Sequence, residues 1–552
     1  MHQPPQRRTS LERDGPTIGP DGKSIRRFQK YGGRRAVWPG ALALILGISA
    51  AIGALVYWGV YEHNQMLGRL PNAANQAQIY GSGHTISDGS NVTTTPKEDI
   101  EVTNPIEYKD RMCQQPNYVS KKNQIFAINA AGTETPIRIK GINWLGMEGY
   151  SHVISGLWDG PRSGNTLYRI GKMLSDNKFN AVRFPIDIFT ASVNNKIEAN
   201  FNTNSQRALA NVKNYTDQIR LLAEGLGQFN IGVVLDFNTR TREDDCNATD
   251  QSVIAIGNRI SSEEGGTTGN GWFSAYITQK EYDAAVTNLA KALCDAKHWN
   301  VMGIDIKDAP QGSAGLWDGE DKTSWQKFAS KMATSINKAC PSWLVFAQGL
   351  DGKTDFPLPD KTPRKIANPP GASLGDAILS PIKGSLPNKV VYAPPFWGPS
   401  VKPWPYFYKA STGGTTLDTF TEFSTQADMT ASVNAAMTKI FGDLLGQQDS
   451  AVVLSSFGSL YGSDDKHPKN SSTMAVNAMI AAMTSTGKTL AGGFWWSLNP
   501  DNNWAHPAPD KDTSAMNGLI DTTWRATNPN HMAATKLMDA MPGLAPLPCD
   551  PR

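Results

Sequence analysis

The chain has 552 residues, 39% of them apolar and 19% charged, a globular composition with more chain than one core requires. A net charge of only +3, without a dense Lys/Arg block in the long C-terminal part, argues against nucleic acid as a partner. The eight histidines are scattered and no Cys or His stands at metal-ligand spacing, so neither a metal nor another cofactor is expected.

Residues 1–35 are rich in Arg, Pro and Gly and read as a disordered basic tail, with Arg26, Arg27, Lys30, Arg34 and Arg35 at its end. Residues 36–61 carry no charge, and such a run is long enough to cross a bilayer, which takes about 20 apolar residues as a helix. Trp38, Trp58 and Tyr61 lie near its ends, where aromatic rings favour the headgroup region. A long basic segment before the run and the lack of a small-x-small cleavage site favour a retained signal anchor over a cleaved signal peptide. The arginines precede the run and Glu62 follows it, so the positive-inside rule puts the tail in the cytoplasm and the rest outside or in a lumen. The expectation is a single-pass type II membrane protein. Residues 62–105, polar and nearly free of apolar clusters, read as a stalk.

From 106 to 552 the texture becomes short apolar runs separated by amphipathic or polar stretches. Eight runs stand out: Ile137–Asn143, Phe179–Pro185, Ile231–Phe237, Val301–Ile306, Trp343–Gln348, Lys389–Ala393, Ala451–Phe457 and Gly492–Ser497. Helical patterns lie between them at Thr166–Asn177, Tyr215–Gly227, Lys280–Lys297, Ser324–Ala339 and Val433–Leu445. Continuously apolar strands alternating with helices imply a parallel sheet covered on both faces, and eight repeats imply an α/β fold of the (β/α)8 TIM-barrel type. A doubly wound sheet would want a Gly-rich phosphate loop after an early strand, and none is present. In a barrel the strand C-terminal ends carry the function.

At those ends the chain resembles glycoside hydrolase family 5, the cellulase-like clan of retaining β-glycosidases. Arg138-Ile-Lys-Gly-Ile-Asn-Trp-Leu-Gly-Met-Glu148 with Gly156-Leu-Trp158 is similar to the family's opening strand, and Phe179-Asn-Ala-Val-Arg-Phe-Pro185 to its second, with Arg183 as the active-site arginine. Val391-Tyr-Ala-Pro-Pro-Phe-Trp-Gly-Pro-Ser400 looks like the sixth-strand motif, and Phe494-Trp-Trp-Ser-Leu-Asn-Pro500 like the eighth, with Trp496 as the sugar-platform tryptophan. The resemblance runs from about residue 137 to 525 and implies a β-linked polysaccharide or oligosaccharide as ligand. The departures fall on the chemistry. Where the family ends strand four in Asn-Glu this chain has Asp308-Ala309, and where strand seven carries Glu-Phe-Gly it has Ser456-Phe457-Gly458. Asn238 stands at the third-strand histidine position, and Pro395 and Trp397 at the sixth-strand histidine and tyrosine positions.

Retaining cleavage needs two carboxyl groups about 5–5.5 Å apart, one attacking the anomeric carbon and one protonating the leaving oxygen. A methyl at 309 donates no proton, a serine at 456 is no nucleophile without a base, and no glutamate follows Glu422. The expectation is a pseudo-glycosidase that binds without cleaving. One alternative is an active β-glycosidase with relocated acids, drawn from Asp308, Asp318, Glu320, Asp464 and Asp465. The other is a structural or protein-interaction ectodomain whose partner the sequence does not name. Arg183, Asn238, Asp308, Trp397, Trp404 and Trp496 are the expected sugar contacts, because indole faces stack on pyranose rings. Trp404 enters with Trp397 because both lie in a proline-rich loop, where core packing is less natural.

Two further patterns suit an extracytoplasmic domain. Sequons stand at Asn91-Val-Thr, Asn214-Tyr-Thr, Asn247-Ala-Thr and Asn470-Ser-Ser. Cys113 and Cys549 flank the folded region and could tie its ends; Cys294 and Cys340 each close a helical stretch before a strand and could pair, leaving Cys246 over. Spacing alone does not fix that connectivity.

Overall fold

The computed structural model describes parts of 43–57, then residues 100–149, 152–158, 163–197, 207–238, 278–310, 316–319, 324–357, 363–411, 420–485, 489–500 and 518–552. The basic tail, the sequons Asn91 and Asn247, Cys246 and Glu320 lie outside the described residues. So does most of the charge-free run 36–61. Its described residues are helical, and Leu44, Leu46, Ile48, Ile52, Val56 and Tyr57 among them expose their side chains. Among the described residues no helix is long and apolar enough to cross a membrane.

The eight expected strands form one parallel sheet: β1 Ile139–Asn143, β2 Ala181–Ile186, β3 Gly232–Phe237, β4 Val301–Asp305, β5 Leu344–Ala347, β6 Val390–Tyr392 continued by Phe396–Trp397, β7 Leu454–Gly458 and β8 Gly492–Trp495. Strand six comes in two pieces because Pro394 and Pro395 lack the N–H a ladder needs. Its first piece pairs with β5 and its second with β7. The amide of Tyr392 donates to the carbonyl of Ala451 at 3.0 Å and the amide of Val453 to that of Tyr392 at 2.9 Å, which closes the ring.

Two layers of packing hold this barrel. Outside it, helices begin on residues whose side chains satisfy the orphan amides of the first turn: Thr166, Asn214, Thr278, Ser324 and Thr425. Asn214 with Asp217 and Thr278 with Glu281 make reciprocal capping boxes. Inside, Ala181, Val234, Met302, Leu344, Val391, Val453 and Phe494 form a separate buried cluster. Phe494 lies where a side chain on Gly141 would be, so β1 and β8 approach closely only because residue 141 has no Cβ.

An antiparallel sheet of Asn117–Lys121, Gln124–Ile128 and Glu134–Ile137 seals the N-terminal end of the barrel. The amide of Tyr118 donates to Ser342 and that of Ser120 to Asn388, both residues that lead into barrel strands. Cys113 is bonded to Cys549 (Cα–Cα 5.1 Å) and Cys294 to Cys340 (5.8 Å). The latter two are the residues that end helices Gln279–Leu293 and Trp325–Ala339.

Two boundaries differ from expectation. At the end of the segment expected as a stalk, Ile100–Thr103 is one helical turn, Thr103 and Asn104 are buried, and the Asn104 side chain accepts from the Arg207 amide at 3.0 Å. The helix expected from Val433 begins at Gln426, because Thr425 caps it. Its first turn is polar and hides from a search for apolar periodicity.

Candidate functional site

The C-terminal strand ends converge on Arg183, which is 1% exposed. β2 delivers it into the barrel mouth, where three aspartates from two neighbouring strands and a loop meet it. Its Nη2 lies 2.7 Å from Asp236 on β3 and 2.8 Å from Asp305 on β4, and it donates to Asp308 just beyond β4 at 3.1 Å. Nη1 donates to the side-chain carbonyl of Asn143 at the end of β1, 3.1 Å away. Burial pushes the guanidinium's pKa down, but the three carboxylates outweigh it and hold the proton more firmly than usual. The aspartates respond unequally to burial. Asp236 is pushed well above the ordinary carboxyl range by desolvation, against the pull of Arg183 and with the push of Asp308, Asp305 and Glu148. Asp305 is raised for the same first reason.

Asp308 differs from the other two because its side chain is 20% exposed. Its Oδ1 accepts from Arg183 and from Gln348 at 2.9 Å, and its Oδ2 from Asn238 at 3.2 Å. Gln348, just past β5, also accepts from the Ala309 amide at 2.9 Å through its Oε1. That bond fixes the backbone at 309, whose φ of 42° is left-handed and uncommon for a residue with a Cβ. The side chain there is a methyl group, beside Gly371.

Across the mouth, Ser456 on β7 is 2% exposed and its hydroxyl accepts from Asn143 Nδ2 at 3.3 Å. The same amide group lies 3.2–3.4 Å from the carbonyls of Ser455, Phe494 and Trp495, so Asn143 stitches β1 to β7 and β8. Trp397 and Trp496 form the aromatic part of the site. Both are half-buried, with ring centroids 5.6 Å apart and planes at 89°.

The structure thus brings together Arg183, Asn238 and Asp308, with Ala309, Ser456, Trp397 and Trp496 at the neighbouring strand ends. Trp404 departs from its expected role. It is 5% exposed and its ring stacks at 15° on that of Tyr406, with the Lys402 ammonium 4.4 Å above it. The proline-rich loop folds its aromatics inward, so Trp404 is core. The other proposed acids also lie away from the site's centre. Asp318 is exposed, the side chain of Asp465 is 0% exposed and bonded to His467, and Asp464 accepts from Asn528 at 3.4 Å. Of the described sequons, Asn470 is exposed, whereas Asn214 is half-buried with its carbonyl capping a helix.

Sequence reasoning missed Asn143, Asp236, Asp305, Gln348 and the half-buried Glu148, whose charge reaches Asp236. A signal was there: an ionisable residue inside a continuously apolar strand must be paired, and Arg183, Asp236 and Asp305 occupy such strands. Among the described residues, no cluster of His, Cys, Asp or Glu could hold a metal.

No family model matches the chain. It is 24% identical over 408 residues to the major extracellular endoglucanase of Xanthomonas campestris pv. campestris, covering 70% of this chain and 68% of that protein. It is 23% identical over 292 residues to an endoglucanase of Paenibacillus polymyxa, covering 52% of this chain and 62% of that one. Among solved structures, an endocellulase from Pyrococcus horikoshii in complex with cellotetraose superposes with a TM-score of 0.56 at 22% identity, over 77% of this chain and 99% of that one. The catalytic domain of the Xanthomonas endoglucanase gives 0.54 at 22%, over 76% and 99%. Their likeness lies in the fold: the described strands and helices form a cellulase-like (β/α)8 barrel.

Proposed function

We propose that the barrel binds a β-linked glucan chain in the cleft at its C-terminal face and that its power to hydrolyse it is impaired. One observation carries this reading: the ends of β4 and β7 present Ala309 and Ser456, while Trp397 and Trp496 stand half-buried and edge to face at the ends of β6 and β8. General acid catalysis alone is worth roughly 10²–10⁴-fold, and no group at 309 supplies it. The endoglucanase relatives support the choice of ligand class.

The test is a binding and hydrolysis panel on the detergent-solubilised full chain. Retention on insoluble β-glucan that falls in Trp496→Ala and Trp397→Ala, without new reducing ends, is the expected result. Reducing ends that appear with the native chain and vanish in Asp308→Asn would instead establish the second reading, an active glycosidase with a relocated acid. The observation favouring that reading is that Asp308 is the partly exposed member of the carboxylate group around Arg183. Retention unaffected by either tryptophan variant would leave the cleft vestigial and favour a protein-interaction ectodomain.

We further propose that residues 36–61 anchor the chain as a type II membrane protein, with the barrel outside the cell or in a lumen. Two disulfides in the barrel support this, since disulfides persist in oxidising compartments. Protease added to intact cells should digest an epitope at the C-terminus and spare one at the N-terminus. The reverse pattern would refute the orientation.

A further inference from the structure

Two excursions leave the barrel mouth side by side, residues 398–411 and 420–422 after β6 and residues 459–470 after β7. Three polar ties join them. Near the barrel, Ser400 and Ser459 share a hydrogen bond between hydroxyls, and the Leu460 amide donates to Ser400 Oγ at 2.8 Å. Farther out, the Tyr408 hydroxyl is 2.9 Å from Nε2 of His467, whose Nδ1 lies 3.0 Å from Asp465 Oδ1. The other Asp465 oxygen accepts from the Thr473 amide at 2.8 Å. Asp465 as acceptor keeps the imidazole proton on Nδ1, so Nε2 accepts the bond from Tyr408. At the far end Glu422, paired with Tyr408 across an antiparallel ribbon, accepts from the Lys469 amide at 3.0 Å and from the Ser471 hydroxyl at 2.7 Å.

Tyr408 is 0% and His467 4% exposed, so each polar group here must be bonded or bear a desolvation cost. A satisfied buried network of this kind selects one arrangement of the segments it joins. The segment it fixes begins at Trp397, the last residue of the second piece of β6, whose partner Trp496 directly follows β8. We propose that Tyr408, His467 and Glu422 are positioning residues that lock the two excursions together and thereby hold Trp397 at its angle to Trp496.

The test compares the full chain with Tyr408→Phe, His467→Gln, Glu422→Ala and the conservative Glu422→Gln. Two readouts are taken: hydrogen exchange without ligand, and cellotetraose affinity by calorimetry. The affinity arm rests on the glucan-binding reading; the exchange arm does not. Loss of one tie should speed exchange in 397–408 and 459–470 and weaken cellotetraose binding about fivefold, the worth of one buried hydrogen bond. Glu422→Gln, which retains an acceptor oxygen, should stay near the native values. Unchanged exchange in both excursions would overturn the proposal, as would a uniform rise across the barrel strands that marks general destabilisation. If the native chain does not bind cellotetraose, the glucan reading fails and exchange alone decides the clamp. If Tyr408→Phe does not fold, the Glu422 pair of variants carries the comparison.

Discussion

Arg183 sets the electrostatics of the mouth. It is the cation shared by Asp236, Asp305 and Asp308, and two of those partners are themselves 0% exposed. Removing it would strand buried carboxylates, and breaking a buried ion pair from one side costs about 3–5 kcal/mol. Arg183→Met should therefore lower the unfolding free energy by about that much in urea at pH 7. Asp308→Asn should cost far less, because its carboxylate is partly solvated and its loss also relieves the repulsion that raises Asp236 and Asp305. Similar losses for the two variants would contradict this ordering. A second residue-scale effect belongs to His531, buried with neither ring nitrogen hydrogen-bonded among the described residues and its ring 5.5 Å from Trp495. Burial lowers its pKa from 6.5 to about 4, against a small opposing pull from Asp464. The unfolded chain then binds the extra proton between pH 6.5 and about 4, so stability falls as pH drops through that window and is complete above it. The full effect is about 3 kcal/mol. Denaturation midpoints at pH 7.5 and 4.5 should diverge less in His531→Phe than in the native chain.

At the scale of elements, the barrel strands were legible because parallel strands buried on both faces are continuously apolar, and all eight runs became strands. Helices with a clear apolar stripe, such as Tyr215–Gly227, were legible for the same reason. The helix Gln426–Ile440 was misplaced at its start because its cap and first turn are polar, and Ser471–Thr484 went unread because its apolar residues surround it. For the candidate site, the placement of Arg183, Asn238, Asp308, Ala309 and Ser456 in the barrel strands or at their ends was legible from the apolar runs. It was not legible at Trp404, since a proline-rich loop looks solvent-exposed until the aromatics of 404–408 are seen to pack together. Strand-to-strand fit, by contrast, depends on side chains distant in sequence. Gly141 on β1 accommodates Phe494 on β8, a relation no local pattern contains. Adding a methyl group there forces the ring or the strands apart, and overpacking a core costs about 1–3 kcal/mol. Gly141→Ala should show that loss in thermal unfolding. Phe494→Leu in the same chain should recover part of it if the contact is the cause.

The whole domain divides its labour between two ends. The C-terminal strand ends hold the charged cluster and the tryptophans; the N-terminal end is closed by the antiparallel sheet and the chain's last residues. Cys113 sits against Pro551 and is bonded to Cys549, the Gln114 amide donates to Asp550, and the Leu547 amide to Asn230. The bond joins residues 436 apart, so it restrains nearly the entire unfolded domain, while Cys294–Cys340 closes a loop of only 46. Chain entropy thus gives the terminal bond the larger effect, within the 2–5 kcal/mol typical of native disulfides. Replacing Cys113 and Cys549 by Ala should lower the melting temperature more than replacing Cys294 and Cys340. Because the terminal bond lies at the face opposite the mouth, its loss should first speed hydrogen exchange in 113–128 and 545–552. Glucan retention at temperatures where the domain remains folded should be unchanged. Retention that fell together with exchange protection at the sealed end would mean that the two ends of the barrel are coupled, and that the closing sheet helps to shape the cleft.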